Sequence, residues 1–221
     1  MDVKVLELKE KVLSNNDAEA DKLRTELKKE GIYYVNVMSS PGSGKTTTLL
    51  ATADRLKEDF HIGVMEADID SDVDAKTVSA AGFHAVQLHT GGMCHLSADM
   101  SRQGLDALGT GFDLVFLENV GNLVCPAEFD TGAQMNAVIL SVPEGDDKPL
   151  KYPLMFEKAD VVLINKIDAM ELFDFRMDSV IEAIYARKAG IPVFAVSAET
   201  GEGMDAWCAW LKAAVAAYRE N

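Results

Sequence analysis

Scarcity of positive charge is the first informative feature of this chain: 21 Lys and Arg stand against 36 Asp and Glu, a net charge of −15. A nucleic-acid backbone or an anionic bilayer demands a Lys/Arg surface, so neither is an expected partner. No apolar run approaches a membrane span. Met1-Asp2-Val3-Lys4 opens a charged amphipathic stretch and not a secretion signal, which places the expectation in the cytoplasm. Cysteines number only three, Cys94, Cys125 and Cys208. An odd count in a reducing compartment favours metal binding or burial over a disulfide. Repeats and low-complexity segments are absent too. At 221 residues, the chain is long enough for one large α/β domain whose core needs no staples.

The order of elements follows from periodicity. Val5, Leu8 and Val12, with Leu6 and Leu13 beside them, predict a first helix that breaks at Asn15-Asn16. Asp17 then caps a second helix, with Leu23 and Leu27 on one face and a stop at Gly31. Residues 1–30 thus read as a helical arm packed on the domain formed by residues 31–221. Seven apolar runs follow: Tyr33–Met38, Ile62–Glu66, Ala85–Leu88, Leu114–Glu118, Val138–Leu140, Val161–Asn165 and Val193–Ala195. Helical patterns separate most of them, and the last helix runs from Met204 to about Tyr218. Strands alternating with helices predict a mostly parallel central sheet with helices on both faces.

The stretch Ser39-Ser40-Pro41-Gly42-Ser43-Gly44-Lys45-Thr46 lies between a strand and a helix. That is the required context of a phosphate-binding loop, and the fold class is the P-loop NTPase. Backbone N–H groups of Gly42, Ser43 and Gly44, with Thr47 at the helix start, would cradle a polyanion. Lys45 would reach the β- and γ-phosphates, and the Thr46 hydroxyl would ligate Mg²⁺. Ser39 replaces the first glycine of the usual GxxxxGK[ST] pattern.

Acid-bearing strand ends should face the same ligand. In Glu66-Ala67-Asp68-Ile69-Asp70-Ser71-Asp72-Val73-Asp74, Asp68 is the candidate to bind metal or position water. Glu118 closes an apolar strand as the Mg²⁺-side carboxylate, and Gly121 can offer its N–H to the γ-phosphate. No glutamine follows Gly121 to orient water, so unaided hydrolysis should be slow. Asn165-Lys166-Ile167-Asp168 selects guanine, because the Asp168 carboxylate accepts both N1–H and N2–H. The Lys166 stem can cover the ring, and Ser197-Ala198-Glu199 can bring backbone N–H groups to the guanine carbonyl. These residues describe a GTPase using GTP/GDP and Mg²⁺.

Cys94-His95 and Cys125 sit on glycine-containing loops after strand ends, on the nucleotide side. Thiolates and an imidazole suit Ni²⁺ or Zn²⁺. A tetrahedral site would be completed by water, His89, Asp99 or a second subunit. Cys208, within the apolar helix Ala206–Leu211, reads as core, and His61 and His84, ahead of strands, read as structural or solvated.

From Tyr33 to Tyr218 the chain resembles the hydrogenase nickel-incorporation GTPases, HypB, of the SIMIBI type. The specific residues are Glu118-Asn119-Val120-Gly121-Asn122-Leu123-Val124-Cys125-Pro126, Cys94-His95 and Asn165-Lys166-Ile167-Asp168. The stretch from Ser141-Val142-Pro143-Glu144-Gly145 to Lys151-Tyr152-Pro153 is also similar to the family's loop. The resemblance implies a GTP-dependent homodimer holding metal at its interface through Cys94, His95 and Cys125. It implies Ni²⁺ delivery to the precursor of a [NiFe]-hydrogenase large subunit, with a small zinc-binding accessory protein as partner. Some members add an N-terminal cysteine motif or a histidine tract, and this sequence has neither. Two other readings are a GTPase chaperone for another cofactor, with structural cysteines, and a non-catalytic nickel buffer. Intact Lys45, Thr46, Glu118 and Asp168 argue against the last.

Overall fold

The computed structural model describes residues 8–69 and 73–220. Its sheet contains β1 (Tyr33–Ser39), β2 (Ile62–Asp68), β3 (His84–His89), β4 (Leu114–Glu118), β5 (Met135–Ser141), β6 (Val161–Asn165) and β7 (Val193–Ala195). All pairings are parallel, in the order β3-β2-β4-β1-β5-β6-β7. Each expected strand is present, and β1, β2, β3 and β5 extend further than their apolar runs. His84, expected ahead of a strand, is the first residue of β3. Central strands are covered on both faces, which is why they read as continuous apolar runs and not as alternation.

Nine α-helices occur among the described residues: α1 (Leu8–Glu30), α2 (Lys45–Leu56), α3 (Val73–Ala80), α4 (Ala98–Leu108), α5 (Cys125–Glu128), α6 (Lys148–Lys151), α7 (Pro153–Lys158), α8 (Met177–Tyr185) and α9 (Met204–Glu220). Alternate residues of a strand point to opposite faces, and the core divides accordingly. On one face, Val35, Val37 and Phe116 pack with Leu49 and Leu56 of α2 and Trp207 and Leu211 of α9. On the other, Tyr34, Val115 and Leu117 meet Leu23 and Leu27 of α1, while Val138 and Val162 meet Phe156 of α7 and Ile184 of α8. Cys208 is buried in α9 as expected.

The predicted break at Asn15-Asn16 does not occur, and one helix runs through it. Asn16 is buried and bonded twice: its Nδ2 donates to the Asp130 carbonyl at 2.8 Å, and its Oδ1 accepts from Ala98 N–H at 2.9 Å. Those long-range bonds outweigh the weak local cost of Asn in a helix, a few tenths of a kcal/mol up to about 0.7. Gly31, at φ 72, ends α1 where expected. Val5 and Leu6 of the predicted first helix, and Asp70 and Asp72 of the acidic run, lie outside the described residues.

A second tie holds α1. Arg24 donates to both carboxylate oxygens of Asp130, at 2.7 and 2.6 Å, and Asp130 also accepts from Gly132 N–H at 2.8 Å. Burial alone would raise the Asp130 carboxyl, but the Arg24 bonds and charge and the Gly132 N–H hold it below the usual carboxylate range. A depressed native pKa stabilises the fold above the unfolded value, about 3.9, and that stabilisation is lost as pH falls through the native value. Asp130→Asn is therefore expected to cost about 1 kcal/mol at neutral pH, the pair being partly exposed. Denaturant melts should show the gap between variant and parent closing in acid.

Candidate functional site

The phosphate loop joins the centre of the sheet to α2. Its departure from the glycine pattern has a structural use. Ser43 Oγ donates to Ser39 Oγ at 2.6 Å, and Ser39 Oγ donates to the Ser40 carbonyl at 2.8 Å, both side chains being fully buried. A serine in the first position thus ties the loop across its base. Gly44 has φ 93, and a Cβ there would lie 2.6 Å from Asn165 Nδ2, so conformation and close approach both require glycine. α2 carries no acid in its first turn, leaving the helix start electropositive.

Parallel pairing brings the acids together. Glu66 of β2 stands opposite Glu118 of β4, and Glu118 stands opposite Val37 of β1. Glu118 Oε1 accepts from Thr46 Oγ1 at 3.0 Å and lies 3.9 Å from Lys45 Nζ. Lys45, Glu66, Asp68, Asp74, Gln87, Glu118, Asn119 and Gly121 line one cavity of about 40 Å³. Burial pushes both glutamates up, and the neighbouring Glu118 adds to the rise at Glu66. At Glu118, Lys45 and the Thr46 hydroxyl offset part of the effect. Gly121 packs so closely on the loop that a Cβ would meet Pro41 at 3.0 Å.

The base motif is bonded to the phosphate loop. Asn165 Nδ2 donates to the Ser43 carbonyl at 3.0 Å, and Lys166 Nζ donates to the Gly42 carbonyl at 2.7 Å. Lys166 adopts φ 62, the left-handed region, which turns the chain from β6 into the 3₁₀ segment Ile167–Leu172 that carries exposed Asp168. Two of the three N–H groups expected near the guanine carbonyl are engaged internally: Ser197 N–H bonds the Glu202 carbonyl at 2.8 Å, and Ala198 N–H bonds Asn165 Oδ1 at 3.1 Å.

At the third group, the sulfurs of Cys94 and Cys125 lie 2.6 Å apart. The bond to Cys94 raises the Cys125 thiol, and burial adds to it. His95 is next to this pair, but its ring stacks on Phe129 with centroids 3.6 Å apart, and its Nδ1 is 4.0 Å from Cys94 Sγ. Burial lowers the imidazole pKa, favouring its neutral, ligating form. Among the described residues no three His, Cys, Asp or Glu side chains converge into a group able to hold a metal. The two thiols meet as expected, while the imidazole does not close on them within one chain. Of the expected fourth ligands, His89 ends β3 exposed, and exposed Asp99 accepts from Gln103 Nε2 at 2.8 Å.

Asparagines bind the loop between Glu118 and Cys125 to the sheet. Asn119 Nδ2 donates to Asn36 Oδ1 at 3.0 Å, and Asn36 Nδ2 donates to Asn136 Oδ1 at 2.9 Å. Sequence reading passed over Asn36 and the pairing of Glu66 with Glu118. A polar residue inside an apolar strand run was the available signal for the first.

The domain model described as "CobW/HypB/UreG, nucleotide-binding domain" matches residues 33–194. The hydrogenase/urease maturation factor HypB of Helicobacter hepaticus is 45% identical over 206 residues, covering 91% of this chain and 84% of that one. The crystal structure of Helicobacter pylori HypB in complex with nickel superposes with a TM-score of 0.85 at 42% identity, covering 91% of this chain and 95% of the other. Archaeoglobus fulgidus HypB also gives 0.85, at 33% identity, covering 92% and 100%.

Proposed function

Because this chain belongs to the HypB branch of the CobW/HypB/UreG family of P-loop proteins, we propose that it is a GTPase that assists nickel insertion into the precursor of a [NiFe]-hydrogenase. The reading rests on a juxtaposition. The segment leaving Glu118 reaches Cys125 seven residues later, and the Cys125 sulfur faces that of Cys94. One short loop therefore touches both the phosphate site and a pair of soft ligands suited to Ni²⁺ or Zn²⁺.

The roles assign as follows. The domain of residues 31–221 binds GTP or GDP, and the arm of residues 1–30 supports it. Gly42, Ser43, Gly44 and Thr47 present backbone to the phosphates, and Lys45 neutralises the γ-phosphate. Thr46 and Glu118 hold Mg²⁺, a fit supported by a buried Glu118 oxygen that meets no donor. Bound there, Mg²⁺ neutralises charge on the β- and γ-phosphates. Asp68 positions water, and Gly121 N–H meets the γ-phosphate. Asn165, Lys166, Asp168, Ser197 and Ala198 shape the guanine pocket.

Nickel is cargo in this scheme. GTP favours a homodimer in which Cys94, His95 and Cys125 of two copies complete a metal site that one chain leaves open. Release goes to the hydrogenase large-subunit precursor with a small zinc-binding accessory protein, in the cytoplasm. Among the described residues no helix is long and apolar enough to cross a membrane.

The test is a metal titration in both nucleotide states. Ni²⁺ or Zn²⁺ affinity should differ between the GDP and GTP-analogue forms by roughly 5- to 150-fold, a typical coupling of about 1–3 kcal/mol, and linkage makes the effect mutual. Cys125→Ala should remove most of that difference and leave guanine binding nearly unchanged. Equal affinities in the two wild-type states would overturn the coupling.

A further inference from the structure

Three strands place acceptor side chains on one rung beside the phosphate loop. Gln87 of β3 is the register partner of Glu66 of β2, and Glu66 is the partner of Glu118 of β4. Neighbouring residues on a rung of a parallel sheet project to the same face. Glu66 and Glu118 are 98% and 96% buried, from exposures of 2% and 4%. Glu66 Oε1, Gln87 Oε1 and Glu118 Oε2 are all buried without a hydrogen-bond donor, apart from the proton that the facing Glu66 and Glu118 carboxyls can share. All three residues line the same cavity of about 40 Å³.

Buried acceptors without donors are costly, on the order of 1–3 kcal/mol each and more where charge is involved. Three facing one small space therefore point to an occupant that presents positive charge or several donors. The cavity exceeds the roughly 10–15 Å³ that one water requires. It opens on Lys45 and Asp68, beside the hydroxyl of Thr46 that bonds Glu118. A hydrated divalent cation supplies both charge and water donors. Mg²⁺ in particular keeps several of its waters and takes only one or two carboxylates directly.

We propose that Glu66, assisted by Gln87, is a second anchor for the nucleotide-associated divalent cation, accepting from its coordinated waters while Thr46 and Glu118 bind on the phosphate side. This rests on the nucleotide-site reading above and adds Glu66 and Gln87 to it. Glu66 is a positioning residue in this scheme: it touches the cation's water shell and not the reacting phosphate. The rung also gives β3, the edge strand of the sheet, a role in the site.

The experiment follows Mn²⁺ as a spectroscopic probe for Mg²⁺, by electron paramagnetic resonance titration of full-length protein loaded with GDP or a GTP analogue. Outer-shell partners of a metal typically contribute 10- to 100-fold in affinity. Glu66→Gln is accordingly expected to weaken Mn²⁺ binding to the loaded protein by roughly 10- to 100-fold, with metal-free GDP affinity within about twofold of wild type. The same substitution removes one of two facing buried acids, so the nucleotide-free variant should melt no lower than wild type. A merely structural Glu66 would instead lower the melting temperature and leave Mn²⁺ affinity alone. Glu66→Asp, one methylene shorter, should give an intermediate loss and serves if the glutamine variant fails to fold. Unchanged Mn²⁺ affinity in both variants, with wild type binding GDP normally, would overturn this inference and spare the nucleotide reading. A wild type that binds no GDP would overturn both.

Discussion

Asp168→Asn is expected to convert a GTP-binding protein into one that prefers xanthosine triphosphate. In the proposed base site the carboxylate would accept two N–H groups from guanine, whereas the amide of Asn can donate to the C2 carbonyl of xanthine. A site left with an unpaired polar group rejects the wrong ligand by about 10⁴-fold or more, so a reversal of that order is expected. Asp168 is well placed for such an exchange. It lies exposed on the turn after β6, while the neighbouring Asn165 and Lys166 do the structural work of bonding the phosphate loop. Competition between GTP and xanthosine triphosphate for a fluorescent nucleotide reads the result. A variant that retains wild-type preference for GTP would remove Asp168 from the base site.

Lys45→Ala should abolish turnover. Loss of one preorganised transition-state donor typically costs roughly 10²–10³-fold, and here the lost group is the full positive charge proposed to meet the γ-phosphate. Lys45 is also the nearest cation to Glu118, at 3.9 Å, in a site where two buried carboxyls already face each other. Its removal should weaken binding of triphosphate more than of diphosphate. Single-turnover hydrolysis measured beside wild type checks this. The wild-type rate itself should be slow, on the order of 10⁻⁴–10⁻³ per second, because no glutamine follows Gly121. Rapid hydrolysis by an isolated monomer would contradict that expectation.

Much of this architecture is legible in the chain. Apolar runs located all seven strands, and strand–helix alternation implied parallel pairing, because each signal is local. Local signals fail where a distant partner decides the outcome. Asn16 breaks helices by propensity, yet it remains helical because Asp130 and Ala98 satisfy it from afar. Glu66 reads in sequence only as the acid that closes a strand; the strand order β2-β4 sets it against Glu118. Ser39 looked like a blemish in a motif until Ser43 was placed over it. His95 reads with the cysteines from adjacency, from its glycine-containing loop and from the family resemblance, whereas its stacking on Phe129 depends on how α5 places that ring.

The two halves of the thiol pair are mounted differently. Cys125 sits on a rigid jaw: Asn119 at its base is bolted to Asn36, Gly121 is wedged against Pro41, and buried Leu123 plugs the core. Cys94 follows Gly91-Gly92, an exposed turn with φ of 62 and 91 and open space around both glycines. Under the proposed coupling, a displacement at the phosphate end should thus be carried along the first jaw with little loss, while the second can yield to it. In the proposed metal site, a clamp with one stiff and one compliant side would grip ions of differing radius yet still report the position of the stiff side. Loop length on the Cys125 side consequently has less freedom to drift than on the Cys94 side.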